Sequence, residues 1–391
     1  MDIRRRMLTS SGEGLNIDNY LTIEANEDGL TARLSVNACE YCVDGDGNWK
    51  TLSAGTATES IDSGHTLSFR GNLSPSSNGI GTFTINKKCN LKGNCMSMLF
   101  GDNAADNYSL SGKNYAFYKL FYNCSNIVNV SSNFLPATTL TDYCYQYMFQ
   151  YCTSLTTAPA LPATTLANDC YYYMFYNCTR LTTAPALPAT TLANYCYTSM
   201  FYRCTRLTTA PALPATTLAN YCYCNMFQYC SKLTTAPELP ATKLASNCYN
   251  NMFYNCTSLT TAPALPATTL ADYCYSSMFV GCSGLTTAPA LPATTLADYC
   301  YQFMFYRCTR LTTAPELPAT KLASNCYNNM FYNCTKLNYI KCLATNISAT
   351  NCTSNWVNGV ASIGTFVKAS GMTSWTTGTS GIPNGWTVQN A

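Results

Sequence analysis

The sequence predicts an α/β solenoid, a stack of 26-residue units that each supply one short strand, one turn and one short helix. Three observations predict it. The dipeptide Met-Phe begins at Met148, Met174, Met200, Met226, Met252, Met278, Met304 and Met330, always 26 residues apart. The string Ala-Pro-x-Leu-Pro-Ala-Thr recurs in phase, with paired prolines from Pro159 and Pro162 to Pro315 and Pro318. Sixteen of the 24 cysteines fall in two registers, four residues before and four after each repeated Met. A fixed period of this length marks an array in which no unit buries its apolar stripe alone and stacking completes the core. Leu120-Phe121 with Cys124 reads as a degenerate unit 28 residues upstream of Met148, and Leu99-Phe100 as an earlier one broken by Asp102 to Lys113. Leu233 to Thr257 is identical to Leu311 to Thr335, so the array looks recently duplicated.

Four segments follow in order. Residues 1–17 form an N-terminal arm. Arg4, Arg5 and Arg6 imitate the start of a signal peptide, but Thr9 to Glu13 is polar and no apolar core follows. Residues 18–95 read as a small β-rich domain, a sandwich of short strands such as Leu21-Thr-Ile-Glu and Thr66-Leu-Ser-Phe, with a hairpin turn at Asp46-Gly47. Cys39, Cys42, Cys89 and Cys95 have poor spacing for zinc. Asp44 to Asn48 fails the calcium-loop template, because Trp49 stands where its glycine belongs. Residues 96–345 are the solenoid. In a unit, Leu155-Thr-Thr-Ala reads as a strand stopped by Pro159. Thr164 or Thr165 then caps a helix from Ala167 to Cys178, whose Leu166, Cys170, Met174 and Cys178 recur at steps of four. Residues 346–391 hold three of the four tryptophans, Trp356, Trp375 and Trp386, and read as an end cap or an assembly segment.

The unit Cys-x-x-Leu-x-x-x-Pro-x-Leu-Pro, followed by x-Phe-x-x-Cys, resembles the BspA-like leucine-rich repeats of gut and oral bacteria. The resemblance covers about residues 115–345. It departs from the usual unit in its length and in carrying Met-Phe where Ala-Phe is common. It implies a fold of leucine-rich-repeat type and recognition without catalysis. Such repeats occur in surface adhesins and in leaderless proteins that look like phage tail or fibre components. The expected function is therefore adhesion, on a phage-type particle as a virion component or, as the alternative, on the surface of a gut bacterium. No binding residue carries over from the family.

Composition agrees with recognition. The charged fraction is 10% and the net charge is +3, so no global field steers the chain to nucleic acid or an anionic membrane. A single histidine, His65, excludes any mechanism that needs two. Acids in the array, such as Asp142, Asp169, Glu238, Asp272 and Glu316, are scattered, so an enzyme is not expected. No cofactor or metal is expected. No apolar run reaches the length of a membrane span. The cysteines of one unit stand eight apart, too far along a helix to bond, and read as a ladder of buried thiols. Variation between units concentrates beside Met-Phe. On a helix, those positions face solvent, which makes Tyr147, Tyr172, Tyr173, Tyr176, Tyr202, Arg203, Tyr254, Tyr306 and Arg307 the candidate ligand-binding surface. Free drift of exposed positions gives the same variation. The expected partners are a protein or a surface glycan, and a virion assembly partner through the arm; self-association is left open. Thr156 and its equivalents do not vary and read as a threonine ladder on a sheet.

Overall fold

The computed structural model describes residues 15–391. The arm's Arg4 to Arg6, and the assembly contact expected of them, lie outside the described residues.

The chain begins with short strands whose buried residues alternate, as a half-covered sheet requires. They are β1 (Leu21–Ala25), β2 (Ala32–Leu34), β3 (Cys39–Val43), β4 (Lys50–Leu52), β5 (Thr66–Arg70), β6 (Phe83–Ile85) and β7 (Cys89–Gly93). β1, flanked by β5 and β7, lies in a six-stranded sheet, and β2 pairs with β6 in a second. The two sheets share one core, joined by the edge-on contact of Phe69 and Phe83 at 5.1 Å. β3 and β4 form an antiparallel hairpin whose connection bends through Gly45 and Gly47, both at positive φ. β7 then pairs in parallel with β8 (Ile127–Val130). The β-rich segment thus runs directly into the repeats.

From β8 the ladder continues one residue at a time. Asn129 bridges Thr157 and Thr157 bridges Thr183; the same parallel bridges recur at Thr209–Thr235 and Thr261–Thr287. Thr313 bridges Tyr339 in β9 (Tyr339–Cys342). Each unit therefore contributes a bridge where a short strand was expected. A strand needs several consecutive residues free to donate, and the prolines that follow cannot.

The expected helix is absent. From Asp169 to Cys178 the chain makes consecutive tight turns. The N–H groups of Tyr172, Met174, Tyr176 and Cys178 each donate to the carbonyl three residues back. The intervening N–H groups, of Tyr171, Tyr173, Phe175 and Asn177, donate to Cys196, Thr198, Met200 and Tyr202 of the next rung. Every fourth residue, Asp169, Tyr173 and Asn177, has a left-handed φ of 54 to 60°. An α-helix would bind every N–H internally, four residues back, and would exclude such residues. Here an identical neighbour presents acceptors at the same height, so half of the donors leave the rung and pair with the next. Among the described residues the one α-helix is α1 (Ser97–Phe100), a single turn.

The turns give the rung a period of four, two residues in and two out. Cys170, Tyr171, Met174, Phe175 and Cys178 are buried. Rung on rung, they build continuous ladders. Phe121, Phe149 and their equivalents to Phe331 stack with centroids 5.6–5.8 Å apart and planes within 9°. A parallel ladder runs from Tyr145 to Tyr327 and ends on Trp356. All 24 cysteines are free and buried. One register of thiols satisfies the backbone of the rung before it. The Sγ of Cys178 donates to the carbonyl of Phe149, 3.2 Å away, which also accepts the N–H of Cys152. The same bond recurs from Cys152 to Cys334.

β9 is followed in parallel by β10 (Thr365–Lys368) and β11 (Thr387–Asn390). The chain between β10 and β11 closes the last rung. Trp356, fully buried, donates from Nε1 to Gly381 at 2.8 Å, stacks on Trp375, and its neighbour Val357 donates to Thr379.

Candidate binding surface

The two outward residues of each four-residue turn form columns up the stack. Helical geometry would leave the varied positions largely free in water. The structure corrects this: Tyr147, Tyr172, Tyr173, Tyr176, Tyr202, Tyr254 and Tyr306 are all half-buried, and only Arg203 and Arg307 are exposed. Where the varied residue is small it is buried outright, as at Thr198, Ser199 and Ser276. Adjacent rungs lie about 4.8 Å apart, closer than a tyrosine ring is wide, so the rings cover one another.

The result is a continuous aromatic strip. Tyr118 meets Tyr147, Tyr147 meets Tyr172 and Tyr173, and Tyr173 lies 5.0 Å from Tyr176. Tyr176 stacks on Tyr202 at 4.5 Å and 6°; Tyr202 meets Tyr229 edge to face, and Tyr229 meets Tyr254 tilted by 56°. Val280 and Gly281 interrupt it. At Gly281, φ is +67° and a Cβ would stand 1.9 Å from Asn255 Oδ1, so the amide fills the place of a side chain. Beyond the gap, Tyr306 stacks on Tyr332 at 4.8 Å. Of the nine candidates, the structure brings Tyr147 to Tyr202 together with Arg203 and Tyr254, and sets Tyr306 and Arg307 across the gap.

Cations edge the strip. The Arg203 guanidinium lies 5.8 Å from the Tyr202 ring and 5.3 Å from Tyr229, and Arg307 lies 5.3 Å from Tyr306. Burial pushes the phenols of Tyr147 and Tyr176 up to about 12, with neighbouring phenols adding to the effect. Burial also raises Tyr254, against the pull of the Arg307 charge. At neutral pH these hydroxyls are therefore protonated donors. Arg203, Tyr229, Asn177 and Asn255 line an open groove of about 590 Å³ together with Thr205, Ser231 and Thr257.

A second basic column escapes a reading centred on Met-Phe. The residue two after the second cysteine of a unit is Arg180, Arg206, Lys232, Arg310 or Lys336, all exposed, with Ser154 before them and Ser258 and Gly284 between them. The signal lies in the repeat alignment, one step past the conserved Cys-Thr or Cys-Ser. Among the described residues, none of these five, nor Arg203 or Arg307, pairs with a carboxylate.

The acids nearby have structural duties. Asp142 Oδ1 accepts the N–H of Asn168, Asp272 that of Asp298, and Asp298 that of Ser324, each linking one rung to the next. His65 sits far from the repeats in sequence, held by Asp44 at 2.6 Å.

The family described as "BspA type Leucine rich repeat region (6 copies)" matches residues 114–234, 197–312 and 246–373. Among solved structures, a leucine rich cell surface protein from Faecalibacterium prausnitzii A2-165 is similar at 16% identity and a TM-score of 0.24, over 68% of this chain and 91% of that one. No curated protein matches.

Proposed function

Because the chain belongs to the BspA-type leucine-rich-repeat family, we propose that it is a non-enzymatic adhesion solenoid of 26-residue rungs that holds a protein or glycan ligand at a cell surface. The observation that carries this is the tyrosine strip with its cations, which pair with no carboxylate among the described residues: amphipathic rings packed by their neighbours, with exposed guanidinium groups beside them. Rigid aromatic and Arg side chains are the usual anchors of recognition surfaces. Repetition up the stack lets several weak contacts act together. The family resemblance favours a cell surface over the virion display also expected from the sequence, for which nothing in the match speaks.

The test must respect the packing. Changing Tyr172, Tyr173, Tyr176 and Tyr202 to Ser would break stacked, half-buried rings and destabilise the array by roughly 1–2 kcal/mol at each site. Removing hydroxyls alone avoids this. The triple variant Tyr176→Phe, Tyr202→Phe, Tyr254→Phe is expected to melt within about 2 °C of the parent while binding to fixed epithelial cells and an immobilised glycan panel falls about tenfold. Unchanged binding to both would move the ligand site off the tyrosine strip.

A further inference from the structure

Three features of the basic columns go beyond packing. First, Arg203 and Arg307 occupy left-handed positions, φ +58° and +61°. Other rungs fill the same column with Tyr151, Asn177, Tyr229, Asn255, Gly281 and Asn333. Of the side chains in this column only the two arginines are charged, and both are exposed. Second, each of these arginines stands three residues from another, Arg206 and Arg310, and the second column extends to Lys232 and Lys336. Third, one of these cations borders the groove. Arg203 leans onto Tyr229 at 5.3 Å, and Arg307 lies over Tyr306 on the far side of the gap left by Val280 and Gly281. From Arg180 to Lys336 is six rung steps, about 29 Å at about 4.8 Å per step.

Resting on the recognition reading above, we propose that this face binds a linear anionic polysaccharide, one carrying carboxylate or sulfate groups, laid along the stack over the groove of Arg203, Tyr229 and Asn255. The charge spacing fits. The two columns together offer seven cations over seven rungs, in two groups separated by the uncharged rungs of Ser258 and Gly284, whereas duplex nucleic acid carries a charge every ~1.7 Å. The chemistry of the rings fits as well. A nucleic-acid strand needs open aromatic faces for its bases, and here the faces are taken by neighbouring rungs, as in Tyr176 on Tyr202. What remains outward is edges and hydroxyls, with the amides of Asn177 and Asn255 and the hydroxyls of Thr205 and Ser231 between them. That set hydrogen-bonds sugar hydroxyls and leaves the guanidinium groups for the acid.

The test uses the full chain and four probes: polygalacturonate, dextran sulfate, neutral dextran and oligo-dT. The expected result is binding to one or both anionic polysaccharides at 50 mM salt, at least tenfold tighter than to neutral dextran or oligo-dT, and weakened severalfold at 300 mM salt. The variant Arg203→Gln, Arg206→Gln, Arg307→Gln, Arg310→Gln should lose at least tenfold. The control Arg33→Gln, Lys87→Gln, Lys243→Gln, Lys321→Gln removes the same net charge elsewhere and should bind as the parent does. Equal losses in both variants, preference for oligo-dT, or no binding to either anionic polymer would overturn the proposal. If those results came with intact cell binding that the tyrosine-to-phenylalanine variant lowers about tenfold, the recognition reading would stand without it.

Discussion

At the scale of single residues, the array shows what its neighbours impose. Asp169 occupies the left-handed column where other rungs carry Asn247 or Asn325. Burial, and then the charge of Asp142, push its carboxyl up to about 6. A raised carboxyl contributes stability that is present below the unfolded value of about 4 and lost as pH rises through about 6. At pH 7 the folded chain therefore carries an unfavourable charge there. Asp169→Asn should raise stability by about 1 kcal/mol at pH 7, the half-exposed site being screened by water. The gain should shrink to the backbone preference of asparagine near pH 4. Thermal melts at the two pH values check this; an equal gain at both would show that charge is not the cause. The thiols illustrate another point. Their recurrence is legible in the sequence and so is their burial, but not the reason for cysteine. That reason is a carbonyl with a spare lone pair one rung away, invisible until rungs are stacked.

At the scale of the element, the sequence shows the period and conceals the conformation. Steps of four suit a helix of 3.6 residues per turn over a short stretch, and a turn row of period four equally well. Two signals separate them. The inward residues come as adjacent pairs, Cys170-Tyr171 and Met174-Phe175, where a helix stripe would alternate spacings of three and four. Asparagine also recurs every fourth residue at Asn247, Asn251 and Asn255, and again at Asn325, Asn329 and Asn333, as left-handed positions favour. The nine surface candidates rest on variation between units, which holds in any conformation; the exposure expected of them fails because it presumes a helix. The rung as a unit is testable. Deleting Leu233 to Arg310, 78 residues, joins Lys232 to Leu311 in register. Nearest-neighbour stacking then predicts a folded, shorter chain with a sharp melt. Deleting 13 residues would set a threonine bridge against a turn row and should give aggregate. Similar solubility and melting of the two would mean that the phase of the rung is misassigned.

At the scale of the whole molecule, one core runs from the first sheet to the tryptophan cap, and the thiols report on it. Burial raises the cysteines, Cys326, Cys334 and Cys342 among them to about 12, so thiolate is scarce at pH 8. Few of the 24 thiols should react in the native chain, and nearly all after unfolding without reductant. A total near half of that number would mean disulfides. The cross-rung bonds have a further, mechanical consequence. They run from rung to rung along the stack axis, so a pull between its ends loads every interface in series and the interfaces yield one at a time. Each rung that peels away would release 26 residues, roughly 90 Å of extended chain, in place of about 4.8 Å of stack. Under tension the molecule would lengthen in discrete steps, dissipating the load within itself while rungs farther along still grip.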